Sequence, residues 1–149
     1  MTIAVAEVVA KQLKAAVATH GAICSFINAA SPSMILLFLY NDFYKTRGAY
    51  LIALADAMKA EYETIVAFGL ERQLDCPDLA LSRHMLFADL SDVEFLQIAA
   101  LHVDALHHAL SDSDEDKVGI HICWGNYEGP HCCDIPMVSV FTTLISAKA

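Results

Sequence analysis

The residues best suited to chemistry lie near the C-terminus, between Gly119 and Pro136. This segment holds two of the seven histidines, three of the five cysteines and the only tryptophan. If residues 118–123 form a strand, as their valine and isoleucine content predicts, His121 and Cys123 leave the same face, because strand side chains alternate with a period of two. An imidazole and a thiol side by side are the beginning of a zinc site, although two ligands do not complete a tetrahedron.

A second polar pair interrupts an apolar stretch in the middle of the chain. The composition of residues 70–76 predicts a strand that Pro77 ends, and Gln73 and Asp75 share one of its faces. Burying such groups without partners is costly. They therefore either hydrogen-bond to neighbouring loops or contact a substrate, and both interpretations remain open.

Three further residues could extend the zinc site. Cys132 and Cys133, together with His131, would complete a local site with His121 and Cys123. This is the less favoured interpretation, because two adjacent cysteines seldom bind one ion comfortably.

The other cysteine and histidine positions are predicted to be structural. Cys24 is expected to be a small residue of the core. His102 lies between the two faces of its helix and is expected to have a structural role. His107 and His108 are expected at the surface near the end of the same helix, where the helix dipole favours them.

Three long helices are predicted from apolar residues that recur at spacings of three and four. The first covers about residues 3–19 and is expected to pack through a face formed by Val5, Val8, Val9, Leu13, Ala16 and Val17. The second runs from near Arg47 to near Gly69, with an inner stripe of Leu51, Leu54, Met58, Tyr62 and Ile65. The third follows a capping box that begins at Ser91.

Strands are predicted between these helices, over residues 22–29, 70–76 and 118–123. Ser31 and Pro32 signal a helix start, so residues 35–39 are expected to form a short helical turn, although the run would also suit a strand. A last helix is expected from about residue 135. This alternation predicts an α/β fold with a parallel sheet, whose C-terminal edge gathers the polar residues Asn28, Gln73, Asp75, His121 and Cys123.

Composition limits the classes of function. A chain of 149 residues with 56% hydrophobic residues can bury one good core, so one globular unit is expected. A formal charge of -9 without basic runs argues against nucleic acid as a partner. The longest apolar run, Met34 to Tyr40, is far shorter than the roughly 20 residues that span a membrane.

The cysteines and the N-terminal residues indicate the cellular compartment of the protein. Five cysteines at these spacings are not a disulfide framework, which favours a reducing environment in which thiols are free or hold metal. No basic segment precedes the apolar residues after Met1, so no secretory signal is expected. A cytoplasmic location is therefore predicted.

Several motifs together resemble the cobalamin-independent methionine synthase family, more closely its shorter relatives built only from the C-terminal catalytic barrel. The motifs are Gln73-Leu74-Asp75-Cys76-Pro77-Asp78-Leu79-Ala80, Arg83-His84, Phe87-Ala88-Asp89-Leu90-Ser91-Asp92, His121-Ile122-Cys123-Trp124-Gly125-Asn126 and Asp134-Ile135-Pro136. The resemblance covers roughly residues 10–137. The group also includes epoxyalkane coenzyme M transferases.

The resemblance implies a fold and a division of the chain. The fold is a (β/α)8 barrel of about 250 residues or more, related to uroporphyrinogen decarboxylase, of which this chain would hold about three β-α units. The expected division is a partial methionine synthase-like catalytic barrel over residues 1–137 and a divergent C-terminal tail over residues 138–149. The chain is accordingly expected to be a fragment.

The resemblance also implies a zinc-dependent S-methyltransferase. His121 and Cys123 match two zinc ligands of the family, whereas its Glu and later Cys ligands have no counterpart here. Zinc would bind a homocysteine-like thiol and keep it as thiolate, which attacks the methyl group of a methyltetrahydrofolate-like donor. Asp75, in the matching Gln-x-Asp motif with Gln73, would contact the substrate and pair with the homocysteine amino group.

Two other interpretations remain open. A related thiol alkyltransferase, such as an epoxyalkane coenzyme M transferase, would use the same zinc chemistry with another thiol or donor. A truncated, non-catalytic remnant or interaction module is the alternative from a different class. Because part of a barrel leaves open sheet edges, self-association through those edges is expected.

Overall fold

The fold is known from a computed structural model, which describes residues 3–125 and 128–147. Within these ranges the elements follow in the order α1 (Ile3–His20), β1 (Phe26–Ala30), α2 (Pro32–Phe38), α3 (Arg47–Ala67), β2 (Glu71–Asp75), α4 (Leu81–Met85), α5 (Asp92–Ala109), β3 (Val118–His121) and α6 (Met137–Ser146). Single turns of 3-10 helix, Pro77–Leu79 and Glu115–Lys117, precede α4 and β3. The predicted alternation of helices and strands is confirmed.

The strands form one parallel sheet in the order β1-β2-β3. Ala30, Asp75 and His121 lie side by side in the register, at the C-terminal end of each strand. Parallel neighbours need a crossover connection, and the helices α2 and α3, then α4 and α5, supply the two crossovers. The predicted α/β class with a parallel sheet is confirmed for the described residues.

Local side-chain chemistry sets the ends of the helices. Ser31 caps α2 with its side chain, and Pro32 occupies the first turn, as predicted. Ser91 and Glu94 exchange reciprocal bonds as the capping box of α5. Just after α3, Gly69 has a φ of 72°, which glycine adopts without strain.

Replacing Ser91 with alanine should remove the side-chain half of this capping box and lower the free energy of unfolding by about 1 kcal/mol. Urea unfolding at neutral pH measures the loss. The pKa of Glu94 is lowered, chiefly because its carboxylate accepts a hydrogen bond from the Ser91 hydroxyl.

The hydrogen bond between Ser91 and Glu94 makes the stability difference between the wild type and Ser91→Ala depend on pH. A carboxyl whose folded pKa is lowered contributes stability above its unfolded pKa of about 4.3, and that stability is lost as the pH falls through the folded pKa. The difference between the wild type and Ser91→Ala should therefore shrink between about pH 6 and about pH 3. An equal difference at both values would contradict the contribution of Glu94.

The core lies between the sheet and the helices α3 and α5. The predicted inner stripe of α3 is confirmed, with Leu54 half-buried and Leu51, Met58, Tyr62 and Ile65 buried. Leu74, in β2, and Phe95, in α5, expose no surface.

The C-terminal helix α6 adds to this core. It packs against α5 and buries Val140 and Leu144. Residues 138–147, expected to be a divergent tail, therefore continue the same packed unit as far as the structure describes them.

Two predictions about buried residues were wrong. In α1, Ala6 and Ala10 are buried, whereas Val5, Val8 and Val9 are 39–52% exposed. The small alanines let α1 lie close to α3, so the valine face points away from that contact. Cys24 is exposed, because it precedes β1 and lies outside the sheet. Among the described residues, no helix combines the length and apolar character needed to cross a membrane.

Candidate functional site

The centre of the candidate site is a contact between Asp75 and His121. The two residues end β2 and β3 and are partners in the register. Oδ1 of Asp75 lies 2.7 Å from Nδ1 of His121. The side chain of His121 is about half exposed (48%) and that of Asp75 is 24% exposed, so the pair is open to a ligand. Parallel pairing therefore joins two predicted site residues that are 46 positions apart.

Gln73 lies on the same strand as Asp75, two residues earlier. Its partners in the register are Asn28 on β1 and Gly119 on β3. Because strand side chains alternate, Gln73 shares its face with Asp75. Gly119 has no side chain to cover that face beside Gln73. The placement of Gln73 is compatible with the predicted substrate contact.

Cys123 lies two residues beyond β3, whereas the sequence predicted a strand that included it. The backbone N–H of Cys76 donates to the carbonyl oxygen of His121 at 2.9 Å, but the chain turns into the 3-10 helix Pro77–Leu79 directly afterwards, so β2 offers no further residue for pairing. The carbonyl oxygen of Cys123 instead accepts from the N–H of Leu81, at the start of α4, at 3.0 Å. Because Cys123 lies outside β3, strand geometry does not place its side chain on the same face as that of His121.

The thiol of Cys123 is held by the backbone that follows it. The N–H of Gly125 donates to Sγ of Cys123 at 3.0 Å. Gly125 makes this bond at a φ of 83°, and an added Cβ would stand 2.5 Å from Cδ1 of Leu81.

Replacing Gly125 with alanine should strain this turn and cost about 1–3 kcal/mol of stability. The backbone conformation disfavours any side chain, and the end of Leu81 would have to move. Thermal unfolding measures the cost. Gly48→Ala is the matched control, because a Cβ at Gly48 meets nothing within 4 Å and alanine suits a helix. Equal stability of the two variants would contradict a strained turn at Gly125.

A group of three polar side chains links the segment before α6 to α4, and the sequence did not predict it. Oδ2 of Asp134 lies 2.8 Å from Nδ1 of His131, and Oδ1 lies 3.7 Å from Nδ1 of His84. The two imidazole rings stack with centroids 5.6 Å apart. In the sequence, only the spacing of three residues between His131 and Asp134 could have indicated that these two side chains meet. His84 could not be added to it without the fold.

Between His131 and Asp134 lie two adjacent thiols. Sγ of Cys132 is 3.6 Å from Sγ of Cys133. The pKa of Cys133 is raised, chiefly by its hydrogen bond with the thiol of Cys132. Cys132 is exposed and Cys133 is half-buried. Both thiols are therefore accessible from solvent to some degree.

A buried polar network lies behind the sheet edge. The hydroxyl of Ser31 donates to Oδ1 of Asp78 at 2.6 Å, and Oδ2 of Asp78 lies 3.2 Å from Nδ1 of His102. The predicted structural placement of His102 is confirmed, since its side chain is 2% exposed. Burial raises the pKa of the neighbouring Cys76 thiol well above its ordinary value.

The contacts of the His121 ring are compatible with binding of zinc, the metal that the family resemblance implies. Because Nδ1 is bound to Asp75, Nε2 is the ring nitrogen left to bind a metal, as in carboxylate–histidine–zinc arrangements. In residues 3–125 and 128–147, no three His, Cys, Asp or Glu side chains are grouped so that they could hold a metal ion. Neither Cys132 and Cys133 nor Asp75 therefore completes such a group with His121 and Cys123.

One residue of the motif that begins at His121 is not covered by this description. Asn126 lies outside the described residues.

Comparison of the chain with models of protein families, with curated proteins and with solved structures found no match. The site is therefore characterised by its own geometry: an Asp75–His121 pair, a thiol at Cys123 and an open sheet edge.

Proposed function

We propose that the chain belongs to a zinc-dependent thiol alkyltransferase of the cobalamin-independent methionine synthase type. The observation that carries the proposal is the 2.7 Å contact between Asp75 and His121 at the C-terminal edge of the parallel sheet. A carboxylate on one ring nitrogen fixes the orientation of the imidazole and increases its basicity as a ligand through the other nitrogen. His121 is thereby suited to bind zinc through Nε2.

Cys123 would be the second protein ligand. Its sulfur accepts the backbone N–H of Gly125 at 3.0 Å, which holds the side chain in place, and zinc would bind it as the thiolate. When bound, zinc would supply a Lewis acid that lowers the pKa of a substrate thiol, so that the thiolate is available as the nucleophile at neutral pH. Two protein ligands do not complete the tetrahedron. The proposal therefore requires further ligands from outside residues 3–125 and 128–147, besides the substrate sulfur.

The proposal gives Asp75 a second role besides the substrate contact expected from the sequence. A carboxylate bound to Nδ1 of His121 orients a ligand, and the amino group of a homocysteine-like substrate would meet its remaining oxygen. Gln73, on the same face of β2, would lie beside the bound substrate. The methyl donor would be methyltetrahydrofolate-like.

The parallel sheet supports the finer fold within this proposal. Three parallel strands with helical crossovers, two of which end in the polar residues Asp75 and His121, are what part of a (β/α)8 barrel would present. In the described residues, β1 and β3 form the two edges of the sheet. In a complete barrel, each edge would pair with a further strand, and those strands would bring the remaining zinc ligands.

Proton release tests the proposal at the thiol. At about pH 7 a free thiol is mostly protonated, because its pKa is about 8.5. Mixing homocysteine with the zinc-loaded chain should release about one proton per chain as the thiolate binds the metal. Homoserine, which lacks the sulfur, should release none, and His121→Ala should abolish the release. If homocysteine released no proton from the zinc-loaded wild type, the proposal would fail.

A second candidate function, association between copies of the chain without catalysis, is favoured by α1. Its apolar residues Ile3, Val5, Val8 and Val9 are 39–52% exposed, which is a patch typical of contact surfaces. Sedimentation over rising protein concentration measures association, and Val8→Glu should weaken it. For this candidate, zinc and homocysteine would leave the association unchanged. A mass independent of concentration would exclude it.

A further inference from the structure

The adjacent cysteines form a pair whose geometry the proposed zinc site does not use. His131 and Asp134 are joined by a contact of 2.8 Å across the turn that contains them. The ring of His131 also stacks on that of His84 in α4. The turn is thus fastened at both ends, and it holds the sulfurs of Cys132 and Cys133 at 3.6 Å from each other.

This spacing suits two bonds to one ion. With metal–sulfur bonds of about 2.3 Å, as in zinc thiolates, two sulfurs 3.6 Å apart subtend an angle of about 100° at the ion. That angle is close to tetrahedral and also suits a pyramidal trivalent centre. Binding would therefore need little movement of either side chain.

A disulfide is the competing use of two neighbouring thiols, and the backbone disfavours it. Adjacent Cα atoms lie about 3.8 Å apart across a trans peptide, whereas ordinary disulfides join Cα atoms about 4.4–6.8 Å apart. The two sulfurs would also have to approach from 3.6 Å to about 2.05 Å. Chelation of an ion between the sulfurs avoids both distortions.

We propose that Cys132 and Cys133 form a bidentate site for a thiophilic ion, of the class represented by trivalent arsenic. The site is separate from the zinc site proposed at His121 and Cys123, and neither depends on the other. Soft thiolates select soft ions over calcium or magnesium.

Phenylarsine oxide is a suitable probe because it needs two thiols. Its arsenic–oxygen bond is replaced by two arsenic–sulfur bonds, and the oxygen leaves as water with the two thiol protons. Arsenic stays trivalent, so no oxidant or reductant is required. A single thiol forms only one such bond, which an excess of a competing monothiol such as mercaptoethanol reverses.

The experiment measures the intact mass of the folded chain after treatment with phenylarsine oxide and excess mercaptoethanol. The wild type should keep one arsenical per chain, and Cys132→Ser and Cys133→Ser should each lose it completely. Cys24→Ser and Cys123→Ser are the matched controls and should keep it, because both change a thiol outside the turn. Circular dichroism verifies that every variant is folded.

Two results would overturn the proposal. One is an arsenical that persists in Cys132→Ser or in Cys133→Ser, which would place the binding elsewhere. The other is loss of the arsenical from the wild type at the same mercaptoethanol concentration that removes it from the single variants, which would show that the two thiols do not act together.

Discussion

Asp78→Ala is expected to lower the free energy of unfolding by about 3–5 kcal/mol, because it removes one partner from a buried polar network. The side chains of Asp78 and His102 are both 2% exposed, and the hydroxyl of Ser31 donates to Asp78 at 2.6 Å. Alanine would leave the imidazole and the hydroxyl without this partner in the interior. The network joins the start of α2, the turn before α4 and the middle of α5, so its loss would loosen all three. Urea unfolding at neutral pH measures the difference.

Asp78→Asn separates the hydrogen bond from the charge. The amide oxygen can still accept from Ser31, whereas the carboxylate beside His102 is lost. Nδ1 of His102 lies 3.2 Å from Oδ2 of Asp78 without a hydrogen bond of good geometry, whereas the Ser31 hydroxyl donates a hydrogen bond to Oδ1. Asp78→Asn should therefore lose less stability than Asp78→Ala. A loss below about 1 kcal/mol in Asp78→Ala would contradict the account of the network.

Asp75→Asn is expected to weaken zinc binding about 10–100-fold, because the carboxylate that orients a ligating histidine is replaced by a neutral amide. Oδ1 of Asp75 is 2.7 Å from Nδ1 of His121, and the variant keeps the shape of the side chain while it removes the negative charge. The dissociation constant is measured by competition with a chromophoric chelator.

A second aspartate–histidine pair provides the control. Oδ1 of Asp56 in α3 lies 2.7 Å from Nε2 of His108 in α5, and neither residue belongs to the candidate site. Asp56→Asn removes the same kind of contact and should leave the zinc affinity unchanged. Equal zinc affinities for Asp75→Asn and the wild type would show that Asp75 does not position His121.

The sequence predicts those parts of the fold that depend on local rules. Helix α3 follows from apolar spacing, and α5 follows from its spacing and the capping box at Ser91. The face of α1 was predicted wrongly, because the valines are more hydrophobic but the alanines permit closer approach to α3. Whether hydrophobicity or small size determines the buried face of α1 depends on the helix against which it packs. That helix, α3, cannot be identified from the sequence of α1 alone.

The sequence predicted the residues of the site but not the contacts between them. Asp75 and His121 were singled out separately, and only the register of β2 against β3 shows that they touch. The end of β3 depends on where the neighbouring β2 ends, since the chain after β2 turns into the 3-10 helix Pro77–Leu79. The link from Asp78 to Ser31 and His102 spans three elements, so no spacing along the chain indicates it.

X-ray absorption at the zinc edge tests the central claim most directly, because it identifies the atoms bound to the metal. The zinc-loaded wild type should show nitrogen from His121 and sulfur from Cys123 in the first shell, with distances of about 2.0–2.1 Å and about 2.3 Å. His121→Ala should lose the imidazole scattering, and Cys123→Ser should lose sulfur. First-shell spectra that are identical for the wild type and both variants would contradict zinc binding at this site.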